Sequence, residues 1–217
     1  MAAVKPLDLS LYAILDPRFL KGSGLAETAR ALVRGGATCL QLRDKEADSR
    51  TLFQEARLLR DALRPHGIPF IVNDRLDIAL TVDADGVHLG EEDIPIAEAR
   101  RILGRDKIVG ASADTVEAAI QAARDGADYI GFGAVFPTGT KQDAKVSRLA
   151  LLPKVKKAVS IPVIAIGGIK RTNAWEVLKA GADGLAVISD LLEAEDVEVR
   201  AREFRALIAG YRNAKRG

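Results

Sequence analysis

The feature of the sequence that most constrains its fold is a repeat of short apolar runs, each followed by a polar loop and a longer amphipathic stretch. Short apolar runs bounded by turn residues indicate buried strands, and the longer stretches have the spacing of helices. The predicted strands are 11–15, 39–42, 70–72, 86–89, 108–111, 129–132, 163–166 and 185–188. The predicted helices are centred near residues 30, 57, 79, 99, 119, 152 and 176, with a last helix at 195–211.

An internal repeat supports this division into strand–helix units. The motifs G-G-A-T, D-G-A-D and A-G-A-D, at 35–38, 125–128 and 180–183, each end a helix and precede a strand, and D-A-D-G at 83–86 is a weaker copy. Eight units in 217 residues, with no Pro/Gly-rich linker, favour a closed (β/α)8 barrel over an open doubly wound sheet. We therefore predict an α/β protein with a single TIM-barrel domain over residues 1–217 and a frayed tail at 213–217.

Composition and charge exclude several classes of function. The 32 basic and 30 acidic residues leave a net charge of +2, so we expect no nucleic-acid or anionic membrane partner. One cysteine and two histidines exclude an intramolecular disulfide and a thiolate or imidazole zinc site, but not Mg²⁺ on carboxylates. Without a signal-peptide run or an apolar stretch of membrane-spanning length, we expect a cytoplasmic protein. Homo-oligomer formation stays open.

The loops after the strands of a TIM barrel share one face, where the active site lies. Seven of these loops, from the second strand to the eighth, are polar or glycine-rich. They carry Gln41, Arg43 and Lys45; Asn73 and Asp74; Glu91, Glu92 and Asp93; Ser112; T-G-T-K at 138–141; G-G-I-K at 167–170; and Ser189. This end of the barrel is the predicted functional site.

Two of these clusters suit anions. Alternation along the second strand puts Gln41, Arg43 and Lys45 on one side, where two cations near the barrel mouth are costly unless an anion or a carboxylate pairs with them. The alternative is internal pairing with Asp74 or Asp93. In V-F-P-T-G-T-K at 135–141, two hydroxyls, free backbone N–H groups and one ammonium suit a phosphate, and a polar surface turn is the alternative.

Asp74 and Asp93 follow adjacent strands, so their carboxylates can share an ion. Mg²⁺ beside a polyphosphate is one use of such a pair, and general acid–base catalysis or helix capping are the others. The G-G-I-K loop and Ser189 stand where barrels hold a phosphomonoester. These positions predict two anion pockets, and therefore two phosphorylated substrates, one of them a diphosphate.

Three further side chains have ordinary interpretations. His88 faces opposite to its neighbours Val87 and Leu89, which suits a hydrogen-bonding residue inside the barrel. Cys39 is predicted to be a core side chain, and Trp175 a packing or oligomer contact.

The motifs together resemble those of the thiamin phosphate synthase family over nearly the whole chain. The specific pieces are Q-L-R-D-K, N-D-R-L-D-I-A, A-D-G-V-H-L-G-E-E-D, G-A-S, G-F-G-A-V-F-P-T-G-T-K and A-I-G-G-I. The resemblance implies a TIM barrel that joins hydroxymethylpyrimidine diphosphate to thiazole phosphate with Mg²⁺, releasing pyrophosphate in a dissociative reaction. Glu91 departs from the family's usual glutamine, and Ala134 from a frequent proline.

The resemblance also implies roles for individual residues. It places Gln41, Arg43, Lys45, Asn73, Ser112 and Lys141 against the pyrimidine diphosphate, Asp74 and Asp93 on magnesium, and Thr138, Thr140, Gly168, Ile188 and Ser189 around the thiazole phosphate. Arg43, Lys45 and Lys141 would act catalytically, by stabilising charge on the leaving group. Two alternatives remain: a related barrel isomerase that aromatises the thiazole phosphate, and a catalytically silent barrel that binds thiamin intermediates as a regulator.

Overall fold

The computed structural model describes residues 7–137 and 148–215. In this part of the chain, eight parallel strands pair in sequence order and β8 pairs with β1, which closes the barrel. The strands are β1 (Leu11–Leu15), β2 (Cys39–Leu42), β3 (Phe70–Asn73), β4 (Gly86–Leu89), β5 (Ile108–Ala113), β6 (Tyr129–Gly133), β7 (Val163–Ile166) and β8 (Gly184–Val187). The predicted (β/α)8 TIM-barrel fold is therefore confirmed.

The helices lie outside the barrel, and three of the described α-helices begin at a side-chain cap. Asp48, Thr115 and Asp196 each accept a backbone N–H from the first turn of the helix that follows. The helices are α1 (Leu25–Arg34), α2 (Ser49–Leu63), α3 (Leu76–Thr81), α4 (Ile96–Leu103), α5 (Val116–Arg124), α6 (Leu152–Ala158), α7 (Ala174–Lys179), α8 (Ser189–Leu192) and α9 (Val197–Ala214).

The end of α9 differs from the prediction. The helix continues to Ala214, two residues into the tail that was expected to be frayed. Tyr211, in its last turn, packs edge-on against Trp175 of α7, with the ring centroids 5.4 Å apart. This contact holds the last turn of α9 on the barrel, because an aromatic pair contributes beyond the area that it buries.

Strand alternation divides the core into two layers. Side chains on the outer side of the strands pack against the helices and form the larger apolar cluster, which includes Leu15, Leu40 and Phe132. Side chains on the inner side fill the barrel and form a smaller cluster. Its buried members are Leu9, Tyr12, Ile14, Cys39, Ile71, Tyr129, Ile164 and Ala186. The prediction that Cys39 is a core residue is confirmed.

The internal sequence repeat corresponds to a repeated hydrogen-bond pair at the amino-terminal end of the barrel. Thr38 accepts the Leu11 N–H on its side-chain oxygen at 3.1 Å and donates its own N–H to the Leu11 carbonyl at 2.9 Å. Asp85, Asp128 and Asp183 make the same two contacts with Phe70, Val109 and Val163. We call Thr38, Asp85, Asp128 and Asp183 the four latches. Each latch joins β2, β4, β6 or β8 to the start of the strand before it.

Glu55 of α2 has a partly buried carboxyl group whose ionisation lowers the free energy of unfolding. Within the described residues its Oε2 atom is buried without a hydrogen-bond partner, and burial, followed by the charge of Asp44, raises its pKa from 4.5 to about 6. A raised carboxyl pKa gives stability that is present below pH 4.5 and lost as the pH rises through about 6. Because Glu55 is only partly buried, solvent screening limits the effect at pH 7 to about 1 kcal/mol.

Glu55→Gln is therefore expected to raise the melting temperature at pH 7 by about 2–4 °C, and to lose that advantage at pH 4.5. Thermal unfolding at both pH values measures the difference. Glu176→Gln, on the exposed side of α7, is the matched control and should change the melting temperature at neither pH. An equal gain for Glu55→Gln at pH 4.5 and pH 7 would contradict the explanation.

Candidate active site

The residues predicted from the sequence meet at the carboxyl ends of the strands. Gln41 lies inside β2, and Asn73 and Ser112 lie within β3 and β5 rather than after them, because both strands extend beyond the predicted ends. Arg43 and Lys45 follow β2. Since the strands are parallel, these side chains surround one mouth of the barrel.

Asp74 is the most constrained residue at the mouth. Its backbone takes the left-handed conformation, with φ 62°, which is uncommon outside glycine, and its N–H donates to the His88 carbonyl at 2.8 Å. The Lys45 ammonium lies 3.2 Å from the Asp74 carboxylate. Burial, followed by the neighbouring Asp93 carboxyl, raises the pKa of Asp74. The two carboxyl groups are therefore close enough to repel each other, with Lys45 only partly offsetting them.

Asp93 is held by its own loop. The Gly90 N–H donates to Asp93 Oδ2 at 2.6 Å. Neither aspartate caps a helix: the N-cap of α4 is Pro95, that of α3 is Arg75, and neither end has a side-chain cap. The helix-capping interpretation of Asp74 and Asp93 is therefore wrong, and the loops present both carboxyl groups to the barrel mouth instead.

Arg43 pairs with a residue that sequence reasoning missed. Its Nη1 atom lies 2.7 Å from Oδ2 of Asp16, which follows β1 and is fully buried, and Arg18 binds the same carboxylate at 2.6 Å. Burial alone would raise the pKa of Asp16, but the hydrogen bonds and charge of Arg18, with the charge of Arg43, lower it. The predicted internal pairing is confirmed for Lys45 with Asp74, but for Arg43 the partner is Asp16.

The glycines after β7 are required by close packing. Gly167 and Gly168 have φ values of 95° and 64°, in the left-handed region that favours glycine. A Cβ atom on Gly168 would lie 2.8 Å from both Phe136 Cβ and the Pro137 carbonyl oxygen. The Asn173 side chain donates to the Gly168 carbonyl at 2.9 Å. The loop is thus fixed against the segment that leads into T-G-T-K.

Ile188 and Ser189 lie where β8 leads into α8, and only β1 separates β8 from β2, which Arg43 follows. Both side chains are half-buried, and Ser189 is the first residue of α8. The next residue, Asp190, accepts the Arg171 N–H at 3.0 Å and pairs with Arg200 of α9 at 3.0 Å. These contacts tie the loop after β7 to the start of α8.

Thr138, Thr140 and Lys141 lie outside the described residues. The residues on either side of that segment are at the barrel mouth: the Phe136 N–H donates to the Gly167 carbonyl at 3.1 Å, and the Arg148 N–H donates to the Ala134 carbonyl at 3.1 Å. Arg148 also pairs with Asp114 at 3.0 Å. Both ends of the segment are therefore next to the G-G-I-K loop or to β5.

The predicted hydrogen-bonding role of His88 inside the barrel is confirmed. Its Nδ1 atom lies 3.0 Å from the Tyr129 hydroxyl and its Nε2 atom 3.0 Å from the Ser112 hydroxyl. Tyr129 and Tyr12 share a hydrogen bond of 2.7 Å, and Gln41 donates to Tyr12 at 2.8 Å. The sequence pointed to Gln41, His88 and Ser112 but not to the two tyrosines, which resemble ordinary core residues.

Within 7–137 and 148–215, no group of three or more His, Cys, Asp or Glu side chains is arranged to hold a metal ion. No helix in this part of the chain is long and apolar enough to cross a membrane.

Glu91, one of the two departures from the resembled family, is exposed on the loop after β4, and Ala134, the other, packs beside Gly167.

Comparison with known proteins gives consistent matches. Residues 11–191 match the family model for thiamine monophosphate synthase. A thiamine-phosphate synthase from Methanocella arvoryzae is 51% identical over 95% of this chain and 98% of its own length, and one from Chloroflexus aurantiacus is 47% identical over 96% and 97%. The solved structure of a thiamine phosphate pyrophosphorylase from Pyrococcus furiosus is 45% identical, covers 94% of this chain and 98% of its own, and superposes with a TM-score of 0.86.

Proposed function

The chain belongs to the thiamine monophosphate synthase family, and on that premise we propose that it joins 4-amino-5-hydroxymethyl-2-methylpyrimidine diphosphate to 4-methyl-5-(2-hydroxyethyl)thiazole phosphate. The products are thiamin phosphate and pyrophosphate. The observation that carries the proposal is the meeting of Asp74 and Asp93 with Lys45 and Arg43 at one mouth of the barrel. Paired carboxylates beside cations suit a diphosphate that arrives with a metal ion.

The donor set fits Mg²⁺. Two carboxylates are too few to enclose an ion, but Mg²⁺ commonly binds one or two carboxylates and completes its octahedron with waters and substrate phosphate oxygens. Burial and then the neighbouring Asp93 carboxyl raise the pKa of Asp74 even with Lys45 present, so a cation between the two carboxyl groups would favour their charged forms. Asp74 and Asp93 would hold the ion, which, when bound, neutralises charge on the departing pyrophosphate.

The cations explain how the leaving group is stabilised. The C–O bond between the pyrimidine methylene and the diphosphate breaks with both electrons going to oxygen, and the thiazole nitrogen then donates its lone pair to the methylene cation. Arg43, held by Asp16, together with Lys45 and Lys141, would bind the pyrophosphate as its charge grows. Fixed donors to developing charge each contribute several kcal/mol in a water-poor site. No nucleophilic side chain is needed.

The second substrate would bind at the loops after β7 and β8, across the mouth from Asp74 and Asp93. Gly168, Ile188 and Ser189, with Thr138 and Thr140, would surround the thiazole phosphate. Glycine in the left-handed conformation leaves its N–H open to an anion, as in other phosphate-binding loops. Gln41, Asn73 and Ser112 would bind the pyrimidine on the Arg43 side. The reacting atoms then meet over the centre of the barrel.

One assay separates this function from the two alternatives. The purified chain is mixed with both substrates and Mg²⁺, and pyrophosphate and thiamin phosphate are measured. Equal amounts of both products support the synthase. Conversion of a non-aromatic thiazole phosphate precursor without pyrophosphate release would support the isomerase, and binding of both substrates without any product would support the regulator. Either result would overturn the proposal.

Gly168→Ala tests the position of the second substrate. The new methyl group collides with Phe136 and Pro137, so we expect the KM for thiazole phosphate to rise at least about tenfold, while the KM for the pyrimidine diphosphate stays unchanged. Gly67→Ala is the matched control, because Gly67 has a similar φ of 61° but open space around it, and it should change neither constant. Equal increases in both constants for Gly168→Ala would contradict the two-pocket assignment.

A further inference from the structure

A chain of hydrogen bonds crosses the inside of the barrel and joins two of the predicted substrate contacts. It runs from Gln41 to Tyr12 at 2.8 Å, to Tyr129 at 2.7 Å, to His88 at 3.0 Å and to Ser112 at 3.0 Å. We call these five residues the interior chain. Its ends lie on β2 and β5, and its middle members lie on β1, β6 and β4. It therefore spans the barrel rather than one wall.

The barrel is shaped to hold this chain. Tyr12 and Tyr129 are 1% and 0% exposed, so a phenol without a partner there would be costly. A Cβ atom on Gly131 would lie 3.0 Å from His88 Cε1, and one on Gly110 would overlap the Tyr129 ring. Gly110 and Gly131 have no side chains, and this leaves room for the two rings. Simple filling of the interior by aliphatic residues would not require either glycine.

One order of donors gives every polar group along the chain a partner. The Gln41 amide N–H donates to the Tyr12 oxygen, and in this order Tyr12 donates to Tyr129. Tyr129 then donates to Nδ1 of His88, and the imidazole, with its proton on Nε2, donates to the Ser112 oxygen. Burial raises the pKa of both tyrosines well above the usual value, so both phenols keep their protons.

We propose that the interior chain sets the hydrogen-bond polarity of the substrate site. The Nε2 atom of Gln41 points into the barrel and donates to Tyr12. The side-chain carbonyl oxygen of Gln41 is therefore the group that accepts a hydrogen bond from a ligand. Because the Ser112 oxygen accepts from His88, its own proton is left to donate. Tyr12, Tyr129 and His88 are then positioning residues, which act on the ligand through Gln41 and Ser112.

This polarity selects a class of ligand. A planar heteroaromatic ring with an exocyclic amino group and a separate acceptor atom satisfies both ends of the interior chain, whereas a ring that carries an oxo group in place of the amino group faces the Gln41 carbonyl with an acceptor. Two facing acceptors leave buried groups unpaired, which costs far more than one lost contact. The identity of the ring rests on the proposed function, but the direction of the chain does not.

The tautomer of His88 tests the direction without any substrate. The chain contains two histidines, His66 and His88, so His66→Gln leaves a single imidazole to observe by ¹⁵N NMR. We expect a neutral ring with its proton on Nε2 at pH 7.5. A ring protonated on Nδ1, or one that exchanges evenly between the two tautomers, would overturn the proposal while leaving the synthase function intact.

Tyr129→Phe tests the positioning role, because it removes one hydroxyl and keeps the ring. We expect the KM for the pyrimidine diphosphate to rise about tenfold with the KM for thiazole phosphate unchanged, as loss of one ordering hydrogen bond would produce. The Nε2 preference of His88 should also disappear. Tyr211→Phe, on α9 far from the mouth, is the control and should change neither quantity.

Tyr12→Phe repeats the test at the other phenol and keeps it decisive if Tyr129→Phe does not fold. In Tyr12→Phe the Tyr129 hydroxyl still faces His88, so we expect an unchanged His88 tautomer and a higher KM for the pyrimidine diphosphate alone, because Gln41 loses its partner. A purely structural role for the tyrosines predicts a lower melting temperature with unchanged Michaelis constants. That outcome, in a folded variant, would refute the positioning role.

Discussion

Asp93→Asn is expected to need about 100-fold more Mg²⁺ than the unmodified chain to reach half its maximal rate. Loss of groups that merely orient a ligand lowers metal affinity about 10- to 100-fold, so a change of the ligand itself should lie at the upper end. Asparagine keeps an oxygen that can accept the Gly90 N–H, so the loop and the melting temperature should be nearly unchanged. A magnesium titration of the initial rate measures the effect, and Asp74→Asn should behave alike.

Glu91→Gln is the matched control for this experiment. It removes one negative charge from the same loop but from an exposed side chain, so the magnesium requirement should stay within about twofold. The rise in melting temperature on adding Mg²⁺ with pyrophosphate gives a second readout that does not depend on turnover. If the titration of Asp93→Asn overlays that of the unmodified chain, Asp93 is not a ligand and the ion is held elsewhere.

Lys141→Ala is the second change with a large expected effect. Loss of a cation that meets charge developing on the leaving group should lower the rate of pyrophosphate release about 10²-fold or more, measured in a single turnover. The melting temperature should stay the same, since one lysine in the polar sequence T-G-T-K should contribute little to folding. Lys157→Ala, on the exposed side of α6, should leave the rate unaltered. Unaltered turnover for Lys141→Ala would contradict this role and would favour the alternative interpretation of V-F-P-T-G-T-K as a polar surface turn.

The fold was predictable because each strand carries its own signal. A strand buried on both faces must be apolar almost throughout, as in L-Y-A-I-L and V-I-A-I. The predicted ends were less accurate for β3 and β5, where Asn73 and Ser112 point into the barrel although they are polar. A polar residue that faces a site looks the same in sequence as the start of a loop.

Much of the candidate site was predictable from loop order, but its pairings were not. Asp16 follows β1 directly, yet whether it meets Arg43 depends on the register between β1 and β2, in which Ile14 lies opposite Gln41. The interior chain depends on closure of the whole barrel, since Tyr12 and Tyr129 are 117 residues apart. The left-handed backbone of Asp74 has no signal in a single sequence, because aspartate adopts many conformations.

The four latches divide the barrel into strand–helix–strand units, and an insertion is tolerated better between these units than within them. Each latch closes a strand–helix–strand unit on itself, and all four lie at the end of the barrel away from the mouth, so the chemistry at the mouth can diverge without touching them. The connections at Gly67 and Gly104 lie between units, are exposed and have open space around them. A lineage can lengthen the chain there without interrupting any unit, whereas an insertion at Gly36 or Gly126 falls inside one.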